Sequence, residues 1–117
     1  MTFKGISRVF SLKNEDQYNT IGAFWDEVAE VYGLENLRGL GYKWQNGEIH
    51  YAIGLNAGDI VGFDFEIELP DSNWQTVLGQ TDNLRQIYEE IYKYGALTYE
   101  IEEFYNNREC IIKYYRK

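Results

Sequence analysis

Cysteine, proline and histidine occur once each in these 117 residues. The lone Cys110 excludes an intramolecular disulfide and a cysteine-based metal site. The lone His50 leaves no His-rich metal spacing, and a Ser-His-Asp triad would have to be built on it. With Pro70 as the only proline and no Ser/Gly-rich or low-complexity stretch, nothing marks a linker, so residues 1–117 read as one domain. No apolar run approaches the length of a membrane span, and no basic stretch followed by an apolar one marks a signal peptide. The expectation is a cytoplasmic protein with no membrane partner. Bases are also scarce, 11 against 19 acids, for a net charge of −8. Such a field repels phosphate backbones, so direct nucleic-acid binding is not expected, and it attracts cations. Solubility alone would also account for it. Neither a Walker-type glycine loop nor a dinucleotide fingerprint is present, and no cofactor is expected.

What the chain has in quantity is aromatic surface. Aromatics make up 17% of it, eleven of them tyrosines, within a hydrophobic fraction of 44% that excludes disorder. Core packing with hydroxyls at the surface is one use for so many tyrosines, and an aromatic-lined pocket is another.

Two amphipathic stripes predict helices. Over Asn14–Tyr32, residues Ile21, Phe24, Trp25, Val28 and Tyr32 share a face, with Asn14 or Asp16 as cap and Gly33 as terminator. Over Thr81–Tyr94, the stripe is Leu84, Ile87, Tyr88 and Ile91, with Thr81 as cap and Gly95 as terminator. Strands are expected at Phe3–Leu12, Phe63–Leu69 and Trp74–Gly79. Arg38–Leu55 reads as a hairpin about a type I′ Asn46-Gly47 turn. That register sets Lys43 against His50, Tyr42 against Tyr51 and Leu40 against Ile53. It puts Leu40, Tyr42, Trp44, Ile49, Tyr51 and Ile53 on one face, and His50 on the polar face as a surface residue. A second hairpin joins Tyr99–Phe104 to Glu109–Tyr115 about Asn106-Asn107.

The stretch Thr98–Phe104 carries the chemistry. It reads as a strand, yet Glu100, Glu102 and Glu103 are three of its seven residues. Alternation puts Glu100 and Glu102 on one face and Glu103 on the other, so at least one acid lies on or beside the buried side. A buried carboxylate costs several kcal/mol unless something positive or hydrogen-bonding meets it. A cationic ligand would do so, and so would an internal salt bridge, for instance to Lys113.

The order strand, helix, hairpin occurs twice. Two such modules predict an α+β fold: one antiparallel sheet with two helices against it, a pseudo-twofold axis, and a cleft at the seam. Four short motifs then become informative by their order and spacing: Ile21-Gly22-Ala23-Phe24-Trp25-Asp26-Glu27, Tyr51-Ala52-Ile53-Gly54, Trp74 to Gly79, and Tyr99-Glu100-Ile101. Together they resemble, over nearly the whole chain, the GyrI-like small-molecule-binding domains, the effector-binding domains of AraC-type and MerR-type multidrug regulators. The resemblance implies a ligand pocket between the halves with the glutamate, here Glu100, deep within it. It also implies ligands that are hydrophobic cations, although some members hydrolyse electrophilic natural products. Glu102 stands where the family often has tyrosine. A second acid there would deepen the negative potential or face solvent.

The function expected on this basis is binding of cationic, aromatic small molecules for sensing, sequestration or drug resistance. A separate DNA-binding regulatory protein is a possible partner. Glu100 would neutralise the ligand, and Trp25, Tyr51, Trp74 and Tyr99 would wall the pocket, with Tyr42 added through its pairing with Tyr51. Each of these aromatics could equally serve core packing. No residue is singled out as catalytic. Two other readings stay open: a hydrolase using Glu100 to activate water, and an acidic inhibitor that occupies a basic site on an enzyme such as a topoisomerase.

Overall fold

The computed structural model describes residues 1–117. Its strands are β1 (Thr2–Ser11), β2 (Leu37–Gln45), β3 (Glu48–Leu55), β4 (Phe65–Glu68), β5 (Gln75–Gln80), β6 (Tyr99–Phe104) and β7 (Glu109–Tyr115). They form one seven-stranded sheet in the order β4-β1-β3-β2-β6-β7-β5, with every neighbouring pair antiparallel. The helices are α1 (Gln17–Tyr32) and α2 (Leu84–Tyr92). This is the expected α+β architecture. Outward from the central β2–β6 pair, β2-β3-β1 on one side is matched by β6-β7-β5 on the other. That order is what a twofold relating the β1-α1-β2-β3 and β5-α2-β6-β7 modules requires. β4 stands outside the repeat as an added edge strand on β1. No helix is long and apolar enough to cross a membrane.

Both helices bury the stripes expected of them, Phe24, Trp25 and Val28 on α1 and Tyr88 and Ile91 on α2. Their starts differ from expectation. Each helix is preceded by a short 3-10 turn, Lys13–Glu15 and Thr81–Asn83, and neither start has a side-chain cap. Asn14 is consumed by a left-handed turn (φ 57°), and the N–H of Thr81 donates to the Arg108 carbonyl at 2.8 Å. Gly33 does terminate α1, with φ 87° and its N–H on the Ala29 carbonyl.

The first hairpin turns at Asn46-Gly47, both left-handed, as a type I′ turn demands (φ 55° and 73°). Gln45 faces Glu48 as expected. Beyond it the expected register fails. Lys43 is also left-handed (φ 54°), and the pairing slips by one residue between Gln45 and Tyr42. This is a β-bulge, in which one extra residue reverses the facing of everything beyond it. His50 therefore pairs with Tyr42 rather than Lys43, Tyr51 with Gly41, Ala52 with Leu40 and Ile53 with Gly39. Leu40 and Tyr42 leave the face that carries Trp44, Ile49, Tyr51 and Ile53.

The two faces of the sheet bury separate cores. The helix-side core joins Phe24, Trp25 and Val28 to Ile49, Tyr51, Ile53, Tyr88, Ile91, Phe104 and Ile112. The opposite face buries Phe3, Leu40, Ala52, Leu69 and Ile101, with Tyr42, Phe65, Ile67, Trp74 and Tyr99 packed around them.

Candidate ligand-binding site

The centre of the sheet brings together two acids and two glycines. On β6, alternation aims Glu100 and Glu102 at the helix side, and both are only 4% exposed. Directly opposite them on β2 stand Gly41 and Gly39, respectively. Glycine weakens a strand and commonly marks a close approach. Here it makes room, because a Cβ on Gly41 would lie 2.7 Å from the Cγ and Oε1 of Glu100. A Cβ on Gly39 would collide with the Tyr51 ring and lie 2.8 Å from Trp25.

Glu102 is held by phenols. The Tyr51 hydroxyl donates to its Oε1, and the Tyr88 hydroxyl donates to its Oε2 at 2.6 Å. Trp25 Nε1 in turn donates to the Tyr51 oxygen at 2.8 Å, so α1, β3, β6 and α2 are tied by one chain of hydrogen bonds. Glu100 has less support, a single bond from the Tyr92 hydroxyl to its Oε2 at 3.1 Å. Neither carboxylate has a basic partner. The Lys113 salt bridge is ruled out by register: Lys113 pairs with Ile101, so its side chain leaves from the other face, and Tyr114 stands opposite Glu100.

Burial, followed by the neighbouring Glu102, pushes the Glu100 carboxyl well above the ordinary carboxylate range, against a smaller opposing effect of the Tyr92 and Tyr88 hydroxyls. Burial also raises Glu102, while its bonds from Tyr51 and Tyr88 oppose the rise. The phenols respond in kind. Burial raises Tyr51, Tyr88 and Tyr92, with the two acids adding to it, so all three remain neutral donors. Tyr18, on the first turn of α1, is pushed up to about 12 by burial and then by Glu100.

Above the acids lies a cavity of about 590 Å³, between α1 and α2 on the sheet. Trp25, Ile21 and Tyr18 line it from α1, Tyr88, Tyr92 and Leu84 from α2, and Trp44, Ile49, Tyr51 and Phe104 from the strands. Arg85 and Arg108 also line it. Arg85 is 3.4 Å from Glu15 and lies over the Tyr18 ring, while Arg108 is paired with Asp82.

Of the residues expected at the site, Glu100, Trp25 and Tyr51 line this cavity. Tyr51 is fully buried and acts as the hinge of the hydrogen-bond chain more than as open wall. Tyr42, Trp74 and Tyr99 lie on the opposite face, and this corrects the placement expected of them. Tyr42 is turned there by the Lys43 bulge, stacks on Phe65 at 4.5 Å and hydrogen-bonds Ser7. Tyr99 precedes Glu100 in a strand and so must face away from it. Trp74 stacks near Tyr99 at 6.3 Å and donates Nε1 to the Pro70 carbonyl. Sequence reasoning missed Tyr18, Trp44, Tyr88 and Tyr92 as site residues and left Glu102 open. A signal for Tyr92 was present, since it follows Tyr88 by four residues and continues the α2 stripe; the two rings stack at 5.6 Å.

No family model matches the sequence, and no curated protein does. Among solved structures the chain is similar to that of SAV2435 bound to tetraphenylphosphonium, with a TM-score of 0.66 and 19% identity over 97% of this chain and 87% of that one. The likeness is one of fold.

Proposed function

We propose that this chain binds hydrophobic aromatic cations in the cavity between its helices, with Glu100 as the neutralising carboxylate and Trp25, Tyr18, Tyr88 and Tyr92 as the surrounding aromatic surface. One observation carries the reading: two buried acids share an aromatic cavity, and no lysine or arginine answers either of them. Charges attract more strongly across a medium of low effective dielectric than across water, so a cation entering this cavity gains more from Glu100 than it would at the surface. Aromatic faces add roughly 0.5–2 kcal/mol per cation contact. The volume suits the occupant, since drug-sized ligands occupy pockets of roughly 300–1,000 Å³. That SAV2435 holds tetraphenylphosphonium on the same fold supports the same ligand class here. Tyr42, Trp74 and Tyr99 have no part in this site and act in packing. Reversible capture of such a cation would serve sequestration, sensing or resistance, with a separate DNA-binding protein as the partner if the role is sensing.

Thermal denaturation with added tetraphenylphosphonium tests the proposal. Ligand at ~100 times its dissociation constant stabilises the native state by about 2.7 kcal/mol. A flat response to this and to other aromatic cations would refute the reading.

A further inference from the structure

Glu100 and Glu102 are not equivalent, and the difference is built from geometry. Both oxygens of Glu102 accept phenol hydrogen bonds, whereas only Oε2 of Glu100 accepts one, and a longer one. Hydrogen bonds to a carboxylate favour its charged form, so Glu102 is the better seat for one negative charge. Two like charges one strand-repeat apart in a buried cavity disfavour each other, as in other paired acids. No cation compensates the second charge. β2 presents only Gly41 to Glu100, and β7 presents Tyr114. Tyr88 and Tyr92 face it from α2, Tyr18 from α1 and Tyr51 from β3, all neutral phenols. The two arginines that line the cavity are engaged elsewhere, Arg85 with Glu15 and Arg108 with Asp82, and Arg116, outside its lining, donates to the Ile91 carbonyl.

We propose that Glu100 is a proton–cation exchange seat: the ligand-free cavity holds one proton on Glu100, an aromatic cation displaces that proton to solvent, and an uncharged aromatic hydrogen-bond acceptor binds with the proton retained and shared. The inference rests on the cation-binding reading above and extends it to a second ligand class. The direction in which burial moves the Glu100 carboxyl agrees with it. The exchange balances simply: the cation brings one positive charge, the proton takes one away to buffer, and the cavity keeps its net charge.

Calorimetry in buffers of different ionisation enthalpy tests it with two probes, tetraphenylphosphonium and the uncharged triphenylphosphine oxide. On the acid side of the Glu100 titration, about one proton leaves per phosphonium bound, and affinity rises about tenfold per pH unit. The oxide binds without proton release, and its affinity falls as pH rises through the same range. Phosphonium binding with no proton release anywhere from about pH 5 to about pH 9 would overturn the proposal. Carboxyl-carbon NMR of the ligand-free protein separates this from the broader reading. A late-titrating glutamate signal that is absent from E100Q supports the proton seat even if phosphonium fails to bind, in which case the cation reading alone falls. A Glu100 signal already ionised at about pH 5 overturns the seat even if phosphonium binds tightly.

Discussion

The two faces of this sheet are made from the same residue types and do different work. The face away from the helices carries Tyr42 on Phe65 and Trp74 near Tyr99 and Tyr115, packed around Phe3, Leu40, Ala52, Leu69 and Ile101. The helix-side face carries Trp25, Trp44, Tyr18, Tyr51, Tyr88 and Tyr92. Aromatic content does not distinguish them. What does is a pair of acids with no cation, facing two glycines. On both sides aromatic rings meet one another, Tyr42 with Phe65 on one and Tyr88 with Tyr92 on the other. On the helix side alone, glycine withholds side chains, and the phenols turn their hydroxyls toward charge. A strand with acids on its covered face is therefore a more specific sign of a site than a cluster of aromatics.

The largest effect expected is on the packed face. Leu40 is fully buried there, and Leu40→Ala should cost about 2–5 kcal/mol of stability in urea unfolding. Below the transition it should leave phosphonium affinity unchanged. A marked loss of affinity in the folded protein would show that the two faces are coupled.

Gly41→Ala acts through the cavity instead. Its methyl would press on Glu100 at 2.7 Å, so both stability and phosphonium affinity should fall, each by about 1–3 kcal/mol. If affinity survives, the glycine is not what makes room for the acid.

Removing the Tyr88 hydroxyl leaves Glu102 Oε2 without its donor in a buried place. Tyr88→Phe should cost about 1–3 kcal/mol, measured by denaturant unfolding near neutral pH. An equal effect of Tyr88→Phe in an E102Q background would contradict the assigned contact.

Glu100→Gln sharpens the contrast through pH. The folded protein holds the Glu100 proton more tightly than the unfolded chain does, because burial raises this carboxyl above its ordinary 4.5. Its contribution to stability is therefore complete below about that pH and fades as pH rises through the folded-state titration. Glutamine does not titrate, so the variant should lack this decline, and urea midpoints across the pH range will show whether the two profiles diverge toward the alkaline side. Phosphonium affinity should drop by about 1–3 kcal/mol in the same variant, with an uncharged analogue of that shape that carries no hydrogen-bond acceptor changed by less than about 0.5 kcal/mol.

The smallest effect belongs to Trp74→Phe, which keeps an aromatic ring on the packed face and deletes the bond to the Pro70 carbonyl. A loss of about 0.5–1.5 kcal/mol in stability is expected, with no change in phosphonium binding. A drop in affinity comparable to that of Glu100→Gln would erase the distinction between the faces.

Much of this was legible in the chain because it is local. Helical stripes at Phe24–Trp25–Val28 and Tyr88–Ile91 follow from the spacing of apolar residues, and Asn46-Gly47 chose its turn by the left-handed conformations those residues tolerate. The placement of Glu100 and Glu102 together, away from Tyr99, follows from a two-residue period that no distant contact alters. Tertiary structure decided everything that depends on what lies across from a residue. One left-handed residue, Lys43, reversed the facing of Leu40 and Tyr42 and so removed Tyr42 from the site, and nothing in its neighbours' hydropathy announced it. The pairing of β6 with β2, far apart in sequence, set Gly39 and Gly41 opposite the two acids and Lys113 on the wrong face to neutralise them. Local periodicity determines which way a side chain points, because the backbone fixes it residue by residue. Whether that side chain meets a cation, a phenol or an empty space depends on strand order and register, which the folded chain alone settles.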